Sequence, residues 1–511
     1  MRKTEIDSLM MPETAIIRDA LQCFDRSGIQ AVLLCDKEGR LAGLVTEGDV
    51  RRALLSGHGL LSPLKAHANI NPVVGTTAMP RDKLVGLFSE RVRLLPVLDA
   101  DGVVQDLLLA NPRAMVPVAT PSIGERELRY VMDAVLSGWV SSKGKYIELF
   151  EQAFASFCGT PHAVAVMNGT VALHIALTAL GIGPGDEVII PALTFVATAS
   201  AVRHCGAKPV FVDIEAISWN IDPDRIEEVV TSHTKAIIAV HLYGQPCRID
   251  RIKEIAERRG LWLIEDAAEA HGAKFNGRRV GSFGHMGTFS FFGNKIITTG
   301  EGGAVVLHDA SLYRKLRILR DHGMSLERRY WHEVVGYNYR MTNLQAAIGV
   351  AQLERWNEIY CAKKRIKELY NKYICTPELI TAEGWDQSSS VCWLYTLILN
   401  SSFSRIDRDD LLSALRDKQI DSRPVFHTLP AMPPYYEPDW KEHYPISYRV
   451  SSHGFNLPSA IELQEKDIKR VAMMLSSALA KVKKIPIYEK QERVFDDRTE
   501  EMFQMRASGD I

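Results

Sequence analysis

The sequence predicts an α/β protein: a mostly parallel sheet with helices on both faces, a smaller α/β domain after it and a separate unit before it. Three observations carry this expectation. Short apolar strands alternate with amphipathic helical stretches from about residue 163 to 307, the pattern of strand–helix–strand units. A helical stretch from Asn343 to about Lys372 then leads into a second, shorter mix of strand and helix. Residues 1 to about 112 carry their own helix–strand–turn–strand pattern, repeated once in weaker form, as two stacked halves would require.

In the first unit, Pro12 to Phe24 has helical periodicity, Ala31–Cys35 and Leu41–Val45 read as strands around the turn Asp36-Lys-Glu-Gly39, and Thr46-Glu-Gly-Asp49 opens a helix through Leu55. The weaker copy runs through a helix from Asp82, a strand Leu94–Leu98 and a strand Val103–Leu109. Three prolines between Ala110 and Pro121, with no periodic run, predict a linker over 113–121. The pattern then predicts a large domain over 122–362. It opens with helices Glu125–Ser137 and Ile147–Cys158. Strands follow at Ala163–Val166, Glu187–Ile190, Pro209–Ile214, Ala236–His241, Leu261–Glu265, Gly287–Phe292 and Gly303–Leu307, with helices between the earlier ones. A smaller domain over 363–485 carries a strand Val391–Leu399 and helices Arg408–Lys418 and Lys466–Lys484, and the polar, aperiodic residues 486–511 read as a tail.

At 511 residues, 46% hydrophobic and 24% charged, the chain is an ordinary globular one of roughly two to four domains. A formal net charge of −1 gives no sign of a nucleic-acid or anionic-membrane binder. No apolar run spans a bilayer. The N-terminus is polar, and the eight cysteines are scattered without metal spacing. These readings predict a cytoplasmic protein with free thiols and no metal.

Candidate chemistry collects at strand ends, where open α/β sheets bind ligands. Lys295 follows an apolar strand and precedes Thr298-Thr-Gly-Glu-Gly-Gly303. Taken alone it is an ordinary loop lysine, but its setting is that of an amine held at a strand end beside closely approaching backbone. Asp266 lies at the end of Leu261-Trp-Leu-Ile-Glu265, as a partner for a pyridine nitrogen or as a helix N-cap. Its neighbour Glu265 faces the other side by strand alternation. Asn168-Gly169-Thr170 joins a strand to a helix N-terminus, a start that favours phosphate. Ser290 adds a hydroxyl to that phosphate or is a buried strand serine. Phe195 is a ring-stacking platform or plain core. A lysine, a buried-context aspartate and a glycine-opened helix N-terminus are what pyridoxal 5'-phosphate (PLP) needs. His241, His271 and His427 are further acid–base candidates without spaced partners, and Arg51-Arg52 decorates a helix.

From about residue 118 to 484 the sequence resembles the nucleotide-sugar aminotransferases of the DegT type, PLP enzymes of aminotransferase fold type I. The resemblance rests on Gly138-Trp-Val-Ser-Ser-Lys-Gly-Lys145, Asn168-Gly-Thr-Val-Ala-Leu173, Thr194-Phe-Val-Ala-Thr198, Glu265-Asp-Ala-Ala-Glu-Ala-His-Gly272, Phe289-Ser-Phe-Phe-Gly-Asn-Lys-Ile-Ile-Thr-Thr-Gly-Glu-Gly-Gly303 and Gly336-Tyr-Asn-Tyr-Arg-Met-Thr-Asn343. It implies Lys295 as the Schiff-base lysine, Asp266 as the pyridinium partner, and Gly169, Thr170 and Ser290 at the phosphate. It implies Phe195 stacked on the ring, and Asn338 reaching the cofactor of a neighbouring subunit, so that a dimer or higher oligomer completes each site. Glu269 stands where many relatives have glutamine near the cofactor's O3′. Relatives that dehydrate have histidine in place of the lysine, so Lys295 implies amino transfer. The lysine loop resembles most the members that aminate C4 of GDP-4-keto-6-deoxymannose, giving GDP-perosamine for surface polysaccharide. The implied donor is L-glutamate. The alternatives are a dTDP- or UDP-linked keto sugar, or a nucleotide-sensing regulatory protein. Residues 1–112 resemble a tandem pair of CBS modules, in which Thr46 and Asp49 match the element that grips the ribose of an adenine nucleotide. The second copy lacks that element.

Overall fold

A computed structural model of the chain describes residues 6–27, 29–89, 92–109, 115–382, 384–400 and 403–482. The tail expected at 486–511 and the first linker residues lie outside them. The chain divides into two units, Met1–Ala114 and Met115–Ile511.

The first unit contains the expected repeat. Met10–Pro12 pairs in parallel with Ala31–Cys35, which pairs antiparallel with Leu41–Thr46. Gly75–Thr76, Leu94–Leu98 and Val104–Leu109 reproduce that pairing, parallel then antiparallel, with a register shift in the hairpin of each half. Thr46 caps the helix Glu47–Leu55 in a capping box: the Asp49 carboxylate accepts from the Thr46 backbone N–H at 2.8 Å and from its hydroxyl at 2.6 Å. Arg52 pairs with the other Asp49 oxygen.

The second unit is built on a seven-stranded sheet: β1 His162–Val166, β2 Glu187–Pro191, β3 Lys208–Val212, β4 Thr234–Val240, β5 Trp262–Asp266, β6 Met286–Ser290 and β7 Gly303–Leu307. The spatial order is β1-β7-β6-β5-β4-β2-β3. Only β7 runs against its neighbours, the others pairing in parallel. The strands are apolar on both faces because both are covered. Alternate residues feed two cores. Ala163, Ala165, Ile237, Ala239, Leu263 and Phe289 join the core under helices Lys145–Cys158, Ile249–Arg259 and Asn343–Glu354. Val164, Val166, Ile238, Val240, Ile264 and Met286 join the core under helix Gly169–Leu180. The C-terminal ends of the parallel strands and the start of β7 therefore form one rim: Ser290 pairs with Gly303, and Gly303 with Val166.

A four-stranded antiparallel sheet, ordered Leu379–Thr381, Tyr395–Leu399, Gly454–Leu457, Arg423–Pro424, forms the smaller layer with helices Arg405–Asp417 and Glu465–Val482. The helix Trp356–Tyr373 bridges the two, giving Trp356 and Ile359 to the large core and Ile366 and Tyr370 to the small one.

Three expectations need correction. The helical run from Asn343 to Lys372 is two helices, Asn343–Glu354 and Trp356–Tyr373, broken at Arg355. The Arg355 guanidinium is drawn to Glu127 and Glu358, an anchor that the periodicity cannot reveal. The strand expected at Val391–Leu399 begins only at Tyr395. Cys392 has a positive φ of 50°, and Val391 and Trp393 donate to the carbonyls of Gly244 and Tyr243 instead of to a ladder. Residues 115–121 are not a free linker. Val116 and Val118 are buried, Val116 bridges Ile420, and the Val118 carbonyl accepts from Ser459.

Candidate active site

The site is the rim of the large sheet. Asp266 is the last residue of β5 and faces the side of helix Gly169–Leu180, whereas Glu265 faces the opposite core. No helix follows Asp266, so it is not an N-cap. Its Oδ2 accepts from the Thr198 hydroxyl at 2.8 Å and its Oδ1 from the Ala268 N–H at 3.2 Å. Burial raises its pKa, and the Thr198 and Ala268 hydrogen bonds and Lys295 oppose that rise.

Lys295 lies five residues beyond β6 and is 11% exposed at its side chain. Its Nζ stands 3.4 Å from Glu269 Oε1 and 3.8 Å from the centre of the Trp393 indole, within cation–π range. Glu269 is buried, and burial raises its pKa against the pull of Lys295. Its other oxygen accepts from the Tyr243 N–H at 2.8 Å. Tyr243 itself takes a positive φ of 51°, and its ring stacks between Trp393 and Phe426. The amine thus rests on an aromatic floor with a carboxylate at its side.

The third part is the helix start. Asn168 caps helix Gly169–Leu180, its side chain accepting from Val171 N–H at 2.9 Å. The N–H groups of Gly169 and Thr170 lack intrahelical acceptors by their position in the first turn. Gly169 lies so close to β6 that a Cβ there would stand 2.6 Å from the Ser290 Cβ. A Cβ on Gly303 would stand 2.3 Å from the Asn168 carbonyl oxygen. Both glycines are required by close approach, and they bring helix-start N–H groups and the Ser290 hydroxyl together as a cradle suited to a phosphate. A buried carboxylate held by a hydroxyl and a backbone N–H, an amine at a strand end and this cradle fit the three polar ends of PLP. Among the described residues no cluster of metal-ligating groups occurs, and no helix is long and apolar enough to cross a membrane.

Residues 121–476 match the model of the DegT/DnrJ/EryC1/StrS aminotransferase family. The chain belongs to that family. Residues 3–56 match the CBS domain. The GDP-perosamine synthase of Caulobacter vibrioides is 46% identical over 373 residues, 71% of this chain and 98% of its own. That of Vibrio cholerae is 44% identical over 357 residues, 70% of this chain and 97% of its own. Among solved structures, Spr1654 from Streptococcus pneumoniae, a sugar-aminotransferase candidate in its PLP form, aligns with a TM-score of 0.69 at 28% identity, covering 72% of this chain and 99% of that one. As a DegT-family member the chain is an aminotransferase.

The fold brings Asp266, Glu269, Lys295, Ser290, Gly169 and Thr170 to one rim. Phe195 follows β2 at the same end, 53% exposed, with its ring 5.6 Å from that of Phe426; it is not plain core. Asn338 is exposed and its side-chain oxygen accepts from the Arg340 guanidinium at 3.1 Å. Its segment runs beside the end of β1, with Met167 donating to the Tyr339 carbonyl. His241 lies on the far side of the sheet. Its Nδ1 accepts from Cys247 N–H, so Nε2 carries the proton towards Glu265 at 3.0 Å. Glu265 also accepts from the N–H groups of Gly281, Phe283 and Gly284, a structural network. His271 is buried beside Phe289 and Phe291. Burial, then Lys295, lowers its pKa to about 3, which leaves it neutral. His427 is exposed. Thr198, Tyr243 and Trp393 join these residues without a signal of their own chemistry in the sequence. Thr198 ends the run Thr194-Phe-Val-Ala-Thr198 and its place is legible there; Trp393 meets Lys295, and Tyr243 meets Glu269, only through tertiary folding.

Proposed function

We propose that this chain is a PLP-dependent aminotransferase that moves the amino group of L-glutamate to C4 of GDP-4-keto-6-deoxymannose, forming GDP-perosamine for surface polysaccharide. The observation that carries the reading is Lys295 at the rim, its Nζ between Glu269 and Trp393 and on the same rim as the buried Asp266. The identity to two GDP-perosamine synthases over nearly their whole length supports the choice of sugar.

Bound at this site, PLP supplies an electron-withdrawing ring and stores the amino group between the two half-reactions. The chain's residues do the rest. Lys295 would hold the cofactor through its amine and, when that amine is free, would carry a proton to and from the donor's α-carbon. Glu269, 3.4 Å from Lys295 Nζ, would hold that amine in place. Asp266, already short of solvent, would accept the hydrogen bond of the ring nitrogen and keep it protonated. Gly169, Thr170 and Ser290 would bind the phosphate, and Phe195 would stack on the ring.

The working unit in this proposal is a homodimer or larger, with Asn338 reaching the neighbouring subunit's cofactor. Leu128, Met132, Val135, Leu136 and Trp139 leave one exposed apolar stripe on and just after helix Glu125–Leu136, of the kind an interface covers. All eight cysteines are free, which supports the reducing cytoplasm as its compartment. An adenine nucleotide at Thr46 and Asp49 is proposed for the CBS unit, where it would replace the hydrogen bond those two side chains make with each other. Turnover titrated with ATP and AMP tests it.

The function itself is tested by incubating GDP-, dTDP- and UDP-linked keto sugars with L-glutamate and identifying products by mass spectrometry. The reading expects the amino sugar from the GDP-linked 4-keto substrate. Amination of a dTDP or UDP sugar alone would replace the substrate, and no amination of any would overturn the reading.

A further inference from the structure

A second buried lysine stands behind the first. Lys363, on helix Trp356–Tyr373, is 4% exposed. Its Nζ donates to the Trp393 carbonyl at 2.8 Å and to the Ser459 carbonyl at 2.6 Å. Among the described residues it has no salt bridge, and burial pushes its pKa down to about 8. A buried ammonium held by carbonyls carries a desolvation penalty, and an apolar side chain would fill the same volume without that cost. The position therefore asks for a use beyond packing.

Its partner supplies one. Trp393 is fixed at every polar group: its carbonyl by Lys363, its N–H by the Tyr243 carbonyl at 3.2 Å, and its indole N–H by the Asn294 carbonyl at 2.7 Å. One face of the indole lies under Lys295 Nζ at 3.8 Å. Asn294, Lys295, Lys363 and Ser459 also line one narrow cavity. Cys392, immediately before Trp393, has a left-handed φ, so this backbone is not held by a ladder and depends on such anchors.

We propose that Lys363 is a positioning residue for amino transfer: by gripping the Trp393 carbonyl it fixes the indole floor on which the Lys295 amine rests when it is released and returns. The inference depends on Lys295 being the cofactor-bonding lysine. No chemistry passes through Lys363 itself. A plain staple of the small domain would lower the melting temperature and leave the rate per folded molecule unchanged. A positioning role moves the rate and the environment of the indole.

The test compares wild type with Lys363→Met, Trp393→Phe and the double variant. The readouts are kcat and KM for both substrates, the absorbance of the lysine-bound cofactor, and fluorine NMR of fluorotryptophan-labelled apo enzyme, with Trp393 assigned by its loss in Trp393→Phe. Lys363→Met is expected to shift the Trp393 resonance and lower kcat by on the order of tenfold to a hundredfold with KM little changed. In the Trp393→Phe background the same substitution should cost much less, since the two act in series. Lys363→Gln, which keeps a donor for the carbonyl, should retain more of the rate. An unmoved Trp393 resonance, or additive losses in kcat, would overturn the inference while leaving the Lys295 assignment intact. So would a full rate in Trp393→Phe, which needs no Lys363 variant to fold. A wild-type enzyme that forms no lysine-bound chromophore would overturn the assignment and this inference with it.

Discussion

The contact between Gly169 and Ser290 gives the sharpest quantitative expectation. A methyl group at 169 would stand 2.6 Å from Ser290 Cβ, 3.1 Å from its Oγ and 3.2 Å from its Cα. Ordinary carbon contacts lie near 3.5–4 Å, so helix and strand must separate by roughly an ångström. Overpacking of this kind costs about 1–3 kcal/mol. The higher helix propensity of alanine returns at most about 1 kcal/mol, because Gly169 is the first residue of its helix. Gly169→Ala should therefore lower stability by about 1–2 kcal/mol. If the N–H groups there hold a phosphate, the same displacement weakens charge-assisted hydrogen bonds worth about 1.5–3 kcal/mol, a ten- to hundredfold loss in PLP affinity at about 1.4 kcal/mol per tenfold. Urea denaturation and absorbance titration with PLP measure the two effects. Adding Ser290→Gly removes the opposing Cβ and should recover most of the lost stability, although not the affinity that its hydroxyl supplies. Simple additivity of the two substitutions in stability would refute the contact, and unchanged PLP affinity in Gly169→Ala would refute the cradle.

Asp266→Asn should reduce turnover by roughly a hundredfold or more, as loss of one preorganised charge in an active site does, yet stabilise the apoprotein. Burial raises the Asp266 pKa, so the native state holds that proton more tightly than the unfolded chain, and stability falls as pH rises from the unfolded value through the raised one. The variant should gain over wild type above that window and show no gain below it, which thermal melts of the apo forms across pH will reveal. Glu265→Gln sets an amide N–H₂ against backbone N–H donors from Gly281, Phe283 and Gly284; a loss of about 3–5 kcal/mol is expected, read by denaturant midpoint. Leu128→Glu with Met132→Glu, both exposed on one helix face, should turn a dimer into monomers in sedimentation velocity, and an unchanged sedimentation coefficient would remove that stripe from the interface.

Much of this architecture was legible because the local pattern and the fold agree. Strands such as Ala31–Cys35 and Gly303–Leu307 were bounded by turn residues, and their continuous apolar character reflects burial on both faces. The placement of Asp266, Gly169 and Ser290 was legible because a strand end and a glycine-opened helix start can be read locally. The break at Arg355 was not, since the apolar spacing continues through it, and the residue there pairs with Glu127, more than two hundred residues earlier in the chain. Trp393 sat in a segment that reads as strand by composition, and its place under Lys295 depends on anchors from Tyr243, Asn294 and Lys363. Thr46 and Asp49 were read for their chemistry, and the fold uses them as a capping box.

One bond, between Lys295 and a cofactor aldehyde, decides the chemistry proposed for this site. Purified protein incubated with PLP, reduced with borohydride, digested and mapped by mass spectrometry should carry the phosphopyridoxyl mass on Lys295, and Lys295→Ala should carry none and turn nothing over. A label on Lys363 or on a surface lysine, or an unlabelled but fully active protein, would contradict it.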